Sequence, residues 1–132
     1  MIVEIFSLCD AATSDNGKLN LLGAFDVIHV KQVPAILSYC AAAMRLRFFA
    51  LERGDHHIEV RFIDADGKNV LPPAGGNIKV EMPEGQRSAA FNLVLNIPGL
   101  KIETPGDYAL ELRVDGQGLV SLPVNIKQYQ PS

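Results

Sequence analysis

Residues 42–48 read Ala-Ala-Met-Arg-Leu-Arg-Phe, and residues 108–114 read Tyr-Ala-Leu-Glu-Leu-Arg-Val. In the first stretch Ala42, Met44, Leu46 and Phe48 alternate with Arg45 and Arg47. In the second Tyr108, Leu110, Leu112 and Val114 alternate with Glu111 and Arg113. Successive side chains of a strand point to opposite faces, so this period of two predicts strands with one buried and one wet face. The same pattern recurs twice more. Ile58, Val60 and Phe62 alternate with Glu59 and Arg61 within 56–64. Ala89, Phe91, Leu93, Leu95 and Ile97 alternate with Asn92 and Asn96 within 89–97. No window carries a helical period, and a single turn at Ile97–Lys101 is the one helical expectation.

The turns work outward from these strands. Asn16-Gly17 suits the positive φ of a two-residue hairpin loop. That loop pairs Asp10 with Gly23, Leu8 with Phe25, Ser7 with Asp26, Phe6 with Val27 and Glu4 with His29. Both faces of these long strands are partly apolar, which places them mid-sheet or over another element. At the C-terminus a three-residue loop, Gly116-Gln117-Gly118, keeps the alternation by pairing Leu112 with Leu122, Leu110 with Val124 and Tyr108 with Ile126. Pro123 lacks an amide hydrogen and marks an edge or bulged strand. Asp64-Ala65-Asp66-Gly67 is a tight turn into a short strand at Lys68–Leu71. A loop at 72–76 precedes a strand at Asn77–Met82. Tyr108 follows Pro105-Gly106 as in a tyrosine corner, where a phenol bonds back to upstream backbone between two sheets. The expected fold is all-β: one antiparallel β-sandwich over residues 1–132, immunoglobulin-like, with a jelly roll or partly open barrel as the alternative.

The chain has 132 residues, a net charge of −3, 48 % hydrophobic and 20 % charged residues. Such apolar content excludes intrinsic disorder. The missing basic excess argues against nucleic-acid binding. No run reaches the ~18 apolar residues of a membrane helix, and the first residues lack a signal-peptide pattern. A cytoplasmic location is expected, with Cys9 and Cys40 as free thiols and a single Cys9–Cys40 disulfide as the alternative.

Candidate polar sites are few. Asp10 and Asp26 interrupt apolar strands, where a carboxylate needs partners or a shifted pKa. The hairpin register points them to opposite faces, and structural roles are favoured. His56 and His57 project to opposite sides of one strand and cannot readily chelate one ion. Arg45, Arg47 and Arg61 are grouped on one outer face as a mixed-charge surface with Glu59 and Glu111. The Asp64–Gly67 segment lacks the oxygen ligands of a calcium loop. No nucleophile elbow, phosphate-binding glycine loop or zinc spacing is present. No catalytic residue, metal ligand or cofactor is therefore assigned.

The run Phe6-Ser7-Leu8-Cys9-Asp10-Ala11-Ala12-Thr13, followed by Asn16-Gly17-Lys18-Leu19-Asn20-Leu21-Leu22-Gly23-Ala24-Phe25-Asp26, resembles a family of small bacterial proteins carrying a domain of unknown function. Asp64–Lys68, Pro105–Tyr108 and Ser121–Pro123 are similar as well. The resemblance implies a stand-alone β-sandwich in a bacterial cytoplasm and supplies no functional residues.

The functional expectation is a non-catalytic interaction or accessory module working through sheet edges or surface. Its partner would be another protein or a second copy, with neither nucleic acid nor membrane involved. The alternative is a small-ligand or metal-ion binding domain using Asp10, Asp26, His56 or His57. A hydrolytic enzyme ranks third.

Overall fold

The computed structural model describes residues 1–129. Among these, nine strands follow in order: β1 (Ile2–Asp15), β2 (Lys18–Ala24), β3 (Val27–Val30), β4 (Ala35–Phe49), β5 (Gly54–Asp64), β6 (Ala74–Val80), β7 (Ser88–Ile102), β8 (Gly106–Val114) and β9 (Gln117–Gln128). One sheet has the order β2-β1-β4-β7 and the other β3-β9-β8-β5-β6. All pairings are antiparallel except β3 with β9. Among the described residues the one helical piece is a 3-10 turn at Ala50–Glu52. It is too short to cross a membrane, and no other helix is described.

The two sheets form a sandwich, and the alternating residues fill it. Met44, Leu46 and Phe48 of β4 meet Ile58, Val60 and Phe62 of β5 and Leu110, Leu112 and Val114 of β8 in one buried cluster. Phe48 and Phe91 pack edge to face at 5.8 Å between ring centres. Burying a side chain of this size contributes about 1.5–3 kcal/mol. The core rests on these strands.

The first hairpin keeps its expected register from Asp15–Lys18 to Cys9–Ala24, and the Phe25 amide donates to the Leu8 carbonyl at 3.0 Å. Beyond Phe25 the expectation fails. The chain crosses to the other sheet, where Val27–Val30 runs parallel to Asn125–Gln128. Phe6–Val27 and Glu4–His29 therefore never pair. Val27, Ile28 and Val30 gain more by burial beside β9 than by continuing an exposed hairpin.

The hairpin also doubles back. β1 lies beside β4 only as far as Cys9, opposite Ala41. At ~3.3 Å per residue, a straight hairpin would carry Gly17 far beyond the sheet. Instead an Arg45 guanidinium nitrogen lies 3.4 Å from the Gly17 carbonyl. The fold-back covers the outer face of β4, where Cys9, Ala41 and Ala43 are fully buried against Ala12, Leu19, Leu21 and Val94. Small side chains on β4 allow that close approach.

Two matched kinks permit this curvature. The pair ladders omit Asp10–Gly23 and Ser38–Gly99, and both glycines have positive φ, 70° and 74°. At Gly99 the core-facing set switches from Phe91, Leu93, Leu95 and Ile97 to Leu100 and Ile102. A strand thus runs through Ile97–Lys101, where one helical turn was expected. Pro98-Gly99 bends it, and its backbone pairs with β4 on both sides of Gly99.

Four further expectations are corrected. The last hairpin turns on Asp115-Gly116, with φ of 52° and 79°, and not on a three-residue loop. Leu110 faces Leu122 and Leu112 faces Val120, and a bulge beyond Leu112 restores the alternation that a two-residue loop would break. The segment Lys68–Leu71 contributes one bridge, Ile63–Asn69, because Asp64 folds its own turn by accepting the Asp66 and Lys68 amides at 2.9 Å each. Finally, β6 begins at Ala74 and ends at Val80, since Ala74–Gly76 already pair with Ile58–Val60. β9 is not an edge strand over its full length, because β3 covers Asn125–Gln128; its outer side is free at Pro123.

We expect Ala43→Leu to cost about 1–3 kcal/mol by overpacking the hairpin against β4. Hydrogen exchange should show the loss concentrated in β2 amides, with the β5 and β8 amides least affected.

Candidate functional site

The first candidate region is the open flank between the sheets. Phe6, Ser7 and Leu8 of β1, the crossover Ala24-Phe25-Asp26, and Leu122, Pro123 and Val124 of β9 line a mainly apolar cleft of about 390 Å³. Two backbone edges border it. β1 pairs with β2 only from Cys9 onward, so among the described residues the side of Ile2–Ser7 away from β4 has no strand partner. β9 pairs with β3 only from Asn125, so the outer side of 119–124 likewise has no strand partner among the described residues. Asp26 stands at the end of the cleft with an exposed side chain, and its carbonyl accepts the Asn125 amide at 2.8 Å.

The second region surrounds His56. Its Nδ1 lies 2.6 Å from Asp115 Oδ2 and its Nε2 lies 2.6 Å from the Glu52 carbonyl oxygen. The ring packs against Phe48, tilted by 35° at 4.8 Å between ring centres. The other Asp115 oxygen accepts the His57 amide at 2.9 Å. Glu52 uses its carboxylate separately, accepting the Phe49 amide at 2.9 Å and facing the Met1 ammonium at 2.9 Å. The Glu52 carbonyl, and after it the Asp115 carboxylate, raise the His56 pKa above the ordinary histidine value. Asp115 is held below the usual carboxylate range by the His57 amide first and His56 second. Burial pushes Glu52 up, but the Phe49 amide and the N-terminal ammonium together leave it lowered.

The remaining sequence candidates stand apart. Asp10 is exposed at the hairpin kink and lies against Gly23, where a Cβ would collide with its carboxylate. His57 faces away from His56, with Nδ1 2.9 Å from Asn77 Oδ1 and Nε2 4.0 Å from Glu59. Asp10 and Asp26 belong to the first hairpin and its crossover, while His56 and His57 sit on β5 of the other sheet. Among the described residues no three His, Cys, Asp or Glu side chains converge as metal ligands. Cys9 and Cys40 are buried free thiols. Cys9 lies in the outer cluster and Cys40 in the main core, and burial raises the Cys40 pKa to about 11.

The arginines divide between the two outer surfaces. A β1 bulge at Glu4 turns its carboxylate toward β4, where Arg45 Nε and Arg47 Nε donate to it at 2.9 and 2.7 Å. Arg47, then Arg45, lowers the Glu4 pKa against the opposing effect of burial. Arg61 belongs to the other sheet and pairs with Glu59. The shared arginine face is thus corrected: two β4 arginines and one β5 arginine look outward from opposite sheets. Sequence reading missed the Glu4 clamp because a one-residue bulge has no local signal here. It missed the His56 network because Glu52 and Asp115 are brought to the histidine by two separate turns.

Tyr108 fulfils its corner pattern. Its hydroxyl donates to the Thr104 carbonyl at 2.6 Å where the chain passes from β7 to β8, and its ring stacks on Phe62 at 5.6 Å. Tyr108→Phe should cost about 1 kcal/mol, the net worth of one such bond, while leaving the fold intact. Urea unfolding of the two proteins checks this.

The model of a family described as "Family of unknown function (DUF6941)" matches residues 4–127. No curated protein matches the chain. Among solved structures, Pseudomonas fluorescens alkylpurine DNA glycosylase AlkC, bound to DNA containing an abasic site analogue, is similar with a TM-score of 0.47 and 13 % identity. The match covers 77 % of this chain and 28 % of that chain.

Proposed function

The chain belongs to this family of unknown function, and from its geometry we propose that it is a non-catalytic binding module that captures an extended segment of another polypeptide in the open flank of the sandwich. The observation that carries the reading is the pair of free backbone edges, Ile2–Ser7 and 119–124, on either side of the apolar cleft. A strand added to a sheet edge gains main-chain hydrogen bonds, while pockets for alternate side chains select its sequence. Half-buried Phe6, Phe25 and Leu122 offer apolar contacts over a floor of buried Leu8 and Val124, which suits a segment with alternating apolar residues. Pro123 withholds one amide donor on β9, which limits pairing with unselected strands.

The same reading takes the topology as immunoglobulin-like, supported by the tyrosine corner at the sheet crossing. It places the protein in the cytoplasm, supported by two free thiols in the core.

The test is selection of short extended peptides from a displayed random library, followed by backbone NMR of the complex. Bound peptides should alternate apolar residues and perturb the amides of Phe6–Leu8, Ala24–Asp26 and Leu122–Val124. Pro123→Asp, on an exposed position, should weaken their binding at least about tenfold, equivalent to roughly 1.4 kcal/mol, without altering the melting temperature. Perturbations confined to another surface would overturn the assignment of the flank. Turnover abolished by one polar substitution would overturn the non-catalytic reading.

A further inference from the structure

The His56 network has a property independent of the flank. Its two partners, a backbone carbonyl and a carboxylate, offer acceptors, each 2.6 Å from a ring nitrogen. A neutral imidazole carries one N–H and one lone pair, so it can satisfy only one of them. The other contact would set a lone pair against an acceptor oxygen. Both bonds exist together only when both ring nitrogens carry hydrogen, which is the imidazolium.

The surroundings favour that form. Asp115 faces the ring from the β8–β9 turn and Glu52 from the Ala50–Glu52 turn. The Met1 ammonium lies beside the same residues and is taken up by the Glu52 carboxylate, and the Arg53 guanidinium, next after Glu52, donates to the Pro83 carbonyl at 3.3 Å. From β4 comes the Phe48 ring, and from β9 come the neutral side chains of Gln117 and Leu119. Asp55, beside His56 on β5, is exposed. The ring itself is only 14 % exposed, so water does not readily replace a lost partner.

We propose that His56 is a protonation-controlled latch that, as an imidazolium, ties the Ala50–Glu52 turn and the Asp115–Gly116 turn to β5. When the ring loses a proton, one of the two bonds must break, and that turn loses its tie to the ring; the Asp115 turn stays joined to β5 by its two bonds with the His57 backbone, at 2.9 and 2.8 Å, so the loosening falls on the Ala50–Glu52 turn. The Ala50–Glu52 turn carries Leu51, which is fully exposed, and follows Phe49, which is 39 % exposed, so its release moves apolar surface. The direction is fixed by the raised His56 pKa. The latch contributes its full stability below the ordinary histidine pKa. It loses that stability as pH rises through the higher pKa of the closed state. Falling pH weakens it again only when the lowered Asp115 pKa is reached.

The experiment is a pH titration of the wild-type chain by NMR, with ring nitrogen shifts for His56 and His57 and amide exchange across residues 50–53 and 115–117. His56 should titrate above an ordinary histidine, with both ring nitrogens protonated below that titration. After correction for intrinsic exchange, the closed-to-open ratio of the 50–53 amides should fall about tenfold per pH unit between the open-state and closed-state pKa values, with the 115–117 amides as the internal reference. In His56→Gln that pH step should vanish. A His56 that titrates at or below the ordinary value, or 50–53 amides that do not respond across its titration, overturns the latch. The wild-type titration decides this even if the variant does not fold.

Discussion

The structure depends on β4 being covered on both faces. Ala42, Met44, Leu46 and Phe48 point into the sandwich, and Ala41 and Ala43 lie beneath the returning first hairpin. A strand buried on both sides cannot slip by one residue without exposing one apolar set and crowding the other. Small side chains are required on the outer side, because a layer of backbone must pass close above them. The run Ala41-Ala42-Ala43 thus serves core and cover at once. Fixing β4 fixes β1 and β7 beside it, and through the β7–β8 crossing it fixes the second sheet.

Much of this was readable from the chain. The four alternating stretches became parts of β4, β5, β7 and β8, and each presents its apolar set to the core, because a period of two has one physical solution in a half-buried sheet. Asn16-Gly17 set the first hairpin correctly as far as Phe25. Failures fell where the constraint is not local. The departure at Asp26 depends on a vacant position beside β9, more than ninety residues away and outside any local pattern. The final loop was misread because Asp115-Gly116 and a compensating bulge reach the same side-chain parity as a three-residue loop. A clue to the β7 kink was present: the apolar set shifts parity across Pro98-Gly99, which signals a bend as well as it signals a helical turn.

The candidate sites show the same division. Facing of His56 and His57 to opposite sides follows from strand geometry alone. What each histidine meets does not, since Glu52 lies on a turn before the strand and Asp115 on a hairpin far along the chain. The carboxylates that interrupt apolar runs proved to mark changes of direction. Asp10 sits at the hairpin kink and Asp26 at the crossing between sheets, both exposed. A polar residue at such a point keeps water contact while the chain turns, which accounts for its place in an otherwise apolar strand.

The crossing at Asp26 also leaves two strands incompletely paired, because one chain segment cannot complete both sheets. The open flank is therefore a consequence of the topology, and its use by another polypeptide is the central claim. Native mass spectrometry of gently purified protein, without chelator, tests it most directly. The account predicts complexes whose mass is made up of polypeptide alone, whether a partner or a second copy of the chain. Stoichiometric retention of a metal ion or small metabolite in place of a polypeptide would contradict it.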